Sequence, residues 1–204
     1  MTHSKRFTMT TRCTILGVLC LSMLAEAEVS APLLQSVPKA TFEFGGFVGE
    51  RIKANVENWL LIAPEANPGM IEMFRVRDRE PRLQIVPWAG EFVGKYLISA
   101  IQSLRMIKDD RLEARVRKTI DDLLDTQADD GYLGPFRKEE RLLGHWDLWG
   151  HYHVMTALLM WYERTGDARS LESARRAGDL VCRTFLNTGK RVKDAGSPEM
   201  NMAI

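Results

Sequence analysis

Apolar positions in this chain fall into two kinds of segment. From His145 to Asp167 they run almost all round: Val154, Met155, Ala157, Leu158, Leu159, Met160 and Trp161 leave little room for a polar face. That pattern predicts a helix opening near Asp147 and stopping at Thr165-Gly166-Asp167, roughly 30 Å long at 1.5 Å per residue. A helix apolar on all sides is expected among other helices. Its polar and aromatic residues crowd the first turns: His145, Trp146, Asp147, Trp149, His151 and His153. The segment from Arg111 to Thr126 differs, with a narrow stripe of Leu112, Val116, Ile120 and Leu123 on a charged rod. Asp110 is its expected cap, with Glu113 completing a capping box. Gly90 to Ile107 has a wide apolar face (Phe92, Val93, Tyr96, Leu97, Ala100, Ile101, Leu104), and Ala168 to Leu186 a stripe of Leu171, Ala174, Gly178, Val181 and Phe185 ended by Asn187-Thr188-Gly189. A further helix is expected from Phe47 to Ile62, ended by Ala63-Pro64. Residues 64–88 carry four prolines and predict a long loop, its charges from Arg75 to Arg82 either a binding rim or, the plainer reading, solvated.

The two kinds of segment repeat. Aligning Ala100 with Ala157 puts Asp110 on Asp167 and Asp122 on Asp179, each 57 residues apart. A broadly apolar helix followed by a half-apolar one suits two layers, the inner touched on all sides and the outer facing water. The fold class predicted is all-α: a partial (α/α)6 toroid of helix hairpins, incomplete at the C-terminus. In such a ring the inner helices run the same way and open on one mouth. That mouth would gather Trp88 to Glu91, His145 to His153, and a new helix start at Ser197-Pro198-Glu199, where Pro suits the first helical position. The pattern stops in mid-course at Met200–Ile204, which predicts a truncated reading frame or a fragment.

Composition changes this picture mainly at the N-terminus. Lys5, Arg6 and Arg12 precede an apolar run from Cys13 to Ala25, and Ala25-Glu26-Ala27 fits a small-x-small cleavage site. Residues 1–27 therefore read as a signal peptide and 28–204 as one domain, secreted or periplasmic. The run is too short to span a bilayer, and no membrane association is expected after cleavage. The formal net charge of +1 stays near zero once Lys5, Arg6, Arg12 and Glu26 are removed, which gives no basis for nucleic-acid binding. Cys13 and Cys20 leave with the leader; Cys182 remains alone and reads as a small buried hydrophobe.

Several phrases, taken in order, resemble the N-terminal part of glycoside hydrolase family 127, the group of bacterial β-L-arabinofuranosidases. They are Gly49-Glu50-Arg51-Ile52 with Asn58-Trp59-Leu60, Trp88 to Leu97, Gln127 to Gly134, Leu148-Trp149-Gly150-His151, Gly196 to Glu199, and Asn201 to Ile204. The resemblance implies an α/α barrel followed by β-rich domains, with a sugar pocket at the inner-helix mouth. It implies sugar contacts at His151 and Glu91. A second family histidine, just before a Pro-Glu pair, is Ser197 here. It also implies a cysteine nucleophile in a zinc site of cysteines and a glutamate, with another glutamate as acid/base. No stretch of this chain corresponds to that apparatus, and Cys182 does not match it. No cofactor is expected in this chain; zinc belongs to the complete protein by resemblance alone.

The candidate substrate-binding residues are Glu91, His151, Trp149, Asp147, Asp130 and Glu199, with no catalytic residue among them. Each has a plainer reading beside it. Asp130 before Gly131 is also ordinary turn chemistry, and Asp147 is also a helix cap. Trp146 and Trp149 either stack on a sugar ring or seal the barrel. His153, two residues from His151 and off its face, reads as a core histidine with a satisfied hydrogen bond. The function expected is hydrolysis of O-glycosidic bonds in plant-type polysaccharides by the complete form, the carbohydrate being the partner and this chain inactive. The alternatives are another toroid sugar enzyme, such as an unsaturated glucuronyl hydrolase or a sugar epimerase, and a non-catalytic helical scaffold.

Overall fold

A computed structural model describes residues 37 and 39–195. The leader, Ser197 and Glu199 lie outside the described residues. Among those described there are helices and no strand: α1 (Gly46–Asn55), α2 (Ala63–Ala66), α3 (Gly69–Arg75), α4 (Glu91–Ser103), α5 (Asp110–Leu124), α6 (Asp147–Thr165) and α7 (Ala168–Phe185). No helix among them is long and apolar enough to cross a membrane.

Contacts between residues fix the helix directions. Gly150 lies against Gly90 and Glu91, Gly94 against His153 and Val154, and Arg164 Nη1 donates to the Leu104 carbonyl at 3.4 Å. Residue numbers rise together along both helices, so α4 and α6 are parallel. Around them, Arg164 pairs with Glu113 at the start of α5, so α5 runs against α6. Arg169 at the start of α7 reaches Asp121 near the end of α5, while Gln127 and Arg176 pair further along; α5 and α7 are parallel. Tyr96 donates to the Leu60 carbonyl at 2.8 Å, and Phe42 N–H donates to the Arg105 carbonyl. The polypeptide before α4 therefore runs against it.

The result is two hairpins, α4–α5 and α6–α7, with α1 beside the first. The inner helices are parallel to each other and opposed to the outer ones, as the two-layer pattern requires. A closed ring is not among the described residues. The core joins both layers: Val93, Leu97, Ala100 and Ile101 of α4, Leu112, Val116, Ile120 and Leu123 of α5, and Val154, Ala157, Leu158 and Trp161 of α6. Each fully buried aliphatic side chain contributes about 1.5–3 kcal/mol relative to exposure.

Several expectations change in detail. Asp109, not Asp110, caps α5: its carboxylate accepts from the N–H groups of Arg111 and Leu112. Two consecutive aspartates left that choice open to the sequence, and Glu113 turns to Arg164 rather than closing a capping box. The first helix does not end at Ile62 as a plain α-helix. It passes into a π-helical turn, Val56–Leu60, a form frequent at functional sites. Residues 64–88 are not all loop; Pro64 sits at the start of α2, where its missing N–H costs nothing, and α3 buries Met70, Ile71 and Phe74. On α7 the buried face is turned toward Ser170, Ser173, Ala177, Val181 and Phe185, leaving Leu171 exposed. Asn187, in the left-handed region at φ 58°, follows its end. Cys182 is exposed rather than buried. The middle of α6 is not covered all round: Leu159 and Tyr162 are exposed on the flank facing away from α4.

Candidate functional site

Three glycines let the inner helices meet at their N-terminal ends. Gly90, at φ 98°, turns the chain into α4, and a Cβ there would lie 2.7 Å from Pro135 Cδ. A Cβ at Gly94 would lie 2.6 Å from both the carbonyl carbon and Cβ of His153. Gly150 faces the Gly90–Glu91 peptide. This seam sets Glu91 and Lys95 of α4 beside Trp149 and His153 of α6. Both pairs are four residues apart, one above the other on a helix face.

The four side chains touch. Lys95 Nζ lies 2.8 Å from Glu91 Oε1 and 5.9 Å from the centre of the Trp149 ring. Trp149 stands edge-on to His153 at 4.5 Å and stacks on Tyr152 at 5.2 Å. Glu91 Oε2 and both ring nitrogens of His153 are shielded and have no hydrogen-bond partner. Burial first, then the Lys95 ammonium, press the His153 pKa below the ordinary 6.5, against the pull of Glu91. Next to this cluster the rim is aromatic. Trp88, half exposed, has its ring centre 6.1 Å from that of Trp146, whose backbone N–H donates to the Pro87 carbonyl. Trp59, beyond the seam, meets Phe92 edge-on at 6.3 Å.

The remaining sequence candidates form a second, drier assembly. His151 is fully buried: Nδ1 donates to the Asp147 carbonyl at 3.0 Å, and Nε2 accepts from Leu133 N–H at 3.4 Å. Burial opposes charge on this ring, but the Asp147 carboxylate 3.4 Å from Nδ1 outweighs it and raises the pKa. Asp147 does not cap α6, whose N-cap position is Trp146. Its carboxylate instead accepts from Tyr132 Oη at 3.1 Å and from Leu142 N–H at 2.8 Å. Asp130 accepts from Tyr132 N–H in a tight turn and pairs with Arg141. Gly131, at φ 96°, lets this turn press on the Arg176 carbonyl. Arg77, drawn by the sequence as a solvated charge, donates to the carbonyls of Phe74, Thr126 and Gly134. Tyr132, under the guanidinium groups of Arg77 and Arg141, is the centre of this assembly.

Glu91, Trp149, His151 and Asp147 thus share one end of the helix pair, and Asp130 joins them through Tyr132. Among Glu91, Asp130 and Asp147, only Glu91 keeps a carboxylate oxygen unpartnered. Lys95 and His153 were not singled out as ligands from the sequence, although the spacing of four from Glu91 and from Trp149 carries the signal. His153 also lacks the satisfied hydrogen bond expected of it. Among the described residues no group of three or more His, Cys, Asp or Glu side chains is arranged to hold a metal ion.

Concavities of about 460 and 650 Å³ open at the opposite end of the inner helices around Arg105 and Arg164. Three of their arginines are engaged within the protein. Arg105 donates to the Ala40 carbonyl, Arg164 pairs with Glu113, and Arg117 lies over the Trp161 ring. They bring no unpartnered polar group comparable to Glu91 and His153.

A search of curated proteins finds no match to the chain. The family model described as beta-L-arabinofuranosidase, GH127 catalytic domain, matches residues 43–204, a span holding every helix described above. The chain belongs to that family of glycoside hydrolases, whose substrates are carbohydrates.

Proposed function

We propose that the seam between α4 and α6 binds one sugar residue of a plant-type polysaccharide, an arabinofuranosyl unit, within a domain that hydrolyses its O-glycosidic bond. The observation that carries this reading is the unpartnered Glu91 Oε2, whose other oxygen is held by the Lys95 ammonium that faces the Trp149 ring, at the end where both inner helices begin. A shielded acceptor without a donor costs about 1–3 kcal/mol, and a sugar hydroxyl recovers it. An aromatic face next to hydroxyl partners suits a ring with one apolar side. Asp147, His151 and Asp130 support the site by fixing the Tyr132 loop, their own polar atoms being engaged.

The described residues are suited to holding a sugar rather than cleaving it. The two-carboxyl route to glycoside hydrolysis needs a second free carboxyl group across the anomeric carbon, and Asp130 and Asp147 are both committed. The test is titration of the full chain with methyl β-L-arabinofuranoside, followed by tryptophan emission. Saturable quenching is expected, with a loss of roughly tenfold in affinity, about 1.4 kcal/mol, in Trp149→Ala. Absence of any saturable response in the folded native chain would overturn the reading. Export is part of the same proposal, supported by the basic, apolar and small-residue segments of 1–27. Retention of the uncleaved chain in the cytoplasm of its own cell would refute it.

A further inference from the structure

We propose that Trp88 and Trp146 form an aromatic platform for the next sugar unit of the polysaccharide, so that the mouth of the inner helices reads two linked residues rather than one. The inference rests on the reading of the α4–α6 seam as the site of the first unit and goes beyond it. Trp88 stands in the turn before α4, three residues ahead of Glu91, and Trp146 is the N-cap residue of α6, three ahead of Trp149. Each indole therefore lies just under one helical turn outside a residue of the seam. The Trp146 backbone N–H donates to the Pro87 carbonyl at 2.9 Å, which ties the two helix starts together. The two ring centres are 6.1 Å apart and the rings tilt by 53°. An indole that only sealed the bundle would be covered, whereas Trp88 is 50% exposed.

The backbone before Trp146 is shaped to bring it there. His145 holds a left-handed conformation, φ 54°, uncommon for a residue with a side chain. Its ring stacks nearly flat on the buried Phe136 at 4.6 Å, which fixes it in place. Backbone strain of this kind collects at ligand sites. The surroundings select the occupant. His145 Nε2 lies 3.8 Å from Glu140 Oε1, and Glu140 pairs with Arg82, so the border of the platform is polar. An acyl chain or an apolar helix laid across it would strip water from those groups without replacing it. A sugar ring sets its C–H face on the indoles and turns its hydroxyls to the border, and each indole N–H adds a donor. Stacking demands no fixed arrangement of hydroxyls. The platform therefore selects for chain length, while the seam selects the sugar.

The experiment is titration of the full chain with methyl β-L-arabinofuranoside and, separately, with the methyl glycoside of its β-linked disaccharide, followed by the indole N–H signals in ¹⁵N spectra. The native chain should bind the disaccharide roughly tenfold more tightly. The disaccharide alone should move the Trp88 signal, which Trp88→Phe identifies by removing it. In Trp88→Ala the advantage of the disaccharide should disappear, and Trp88→Phe, which keeps an aromatic face, should retain part of it. The comparison of the two sugars on the native chain stands without any variant. Equal affinities for the two sugars, an unmoved Trp88 signal, or an undiminished advantage in folded Trp88→Ala would each overturn the platform and leave the seam as a sugar site. A native chain that binds neither sugar would overturn both.

Discussion

Asp147 illustrates how much one buried side chain holds together. It is almost completely buried, and its two oxygens take the Tyr132 hydroxyl and the Leu142 N–H, while its backbone carbonyl orients His151. Asp147→Ala would leave both donors buried without acceptors. We expect a loss of about 3 kcal/mol, read as a fall in the urea midpoint without a change in slope. The two histidines nearby titrate in opposite senses. His153, held below its ordinary pKa by burial and then by the Lys95 ammonium, takes up a proton less readily in the folded chain than in the unfolded one. It therefore removes stability as pH falls below about 6.5. His151, held above its ordinary value by Asp147, contributes stability at low pH that is lost as pH rises through its folded pKa. Comparing urea midpoints near pH 7.5 and pH 5.5 separates them. His153→Gln should lose less stability than the native chain on acidification, and His151→Gln should lose more.

Among the elements, the α4–α6 seam depends on Gly94. In an isolated helix Gly→Ala gains about 1 kcal/mol. Here the added methyl would sit 2.6 Å from the His153 backbone, and forced separation of packed helices costs about 1–3 kcal/mol. Gly94→Ala should therefore be neutral to destabilising, where an exposed helix glycine would be stabilised, and thermal melts of the two kinds of variant side by side decide it. The five long helices were legible because their apolar stripes follow the helical period. The parallel inner pair was legible because Ala100 and Ala157 repeat a buried position. The helices α2 and α3 were hidden by prolines that open helices as readily as they end them. That His151 rather than His153 is the engaged histidine was hidden in part: Asp147 stands four residues before His151 on the same helix, but the Leu133 N–H comes from a loop that helix spacing does not place. Arg77 looked solvated because two of its three carbonyl partners, Thr126 and Gly134, come from distant parts of the chain.

For the whole molecule, the uncovered flank of α6 matters most. Tyr152, Met155, Thr156 and Leu159 of α6, with Leu171 and Ala174 of α7, line an apolar groove of about 410 Å³. Exposed apolar grooves promote association, so the chain should self-associate as its concentration rises. Leu159→Glu should shift sedimentation toward the monomer while leaving the melting temperature nearly unchanged. The common direction of α4 and α6 has a further electrical consequence. Side by side, their peptide dipoles point the same way and place two partial positive charges at one end, where they repel. Each helix begins with an acid, Glu91 on one and Asp147 on the other. These carboxylates neutralise the end that the shared direction would otherwise leave positively charged, and a chain stripped of both would feel its two central rods pushed apart where they now touch.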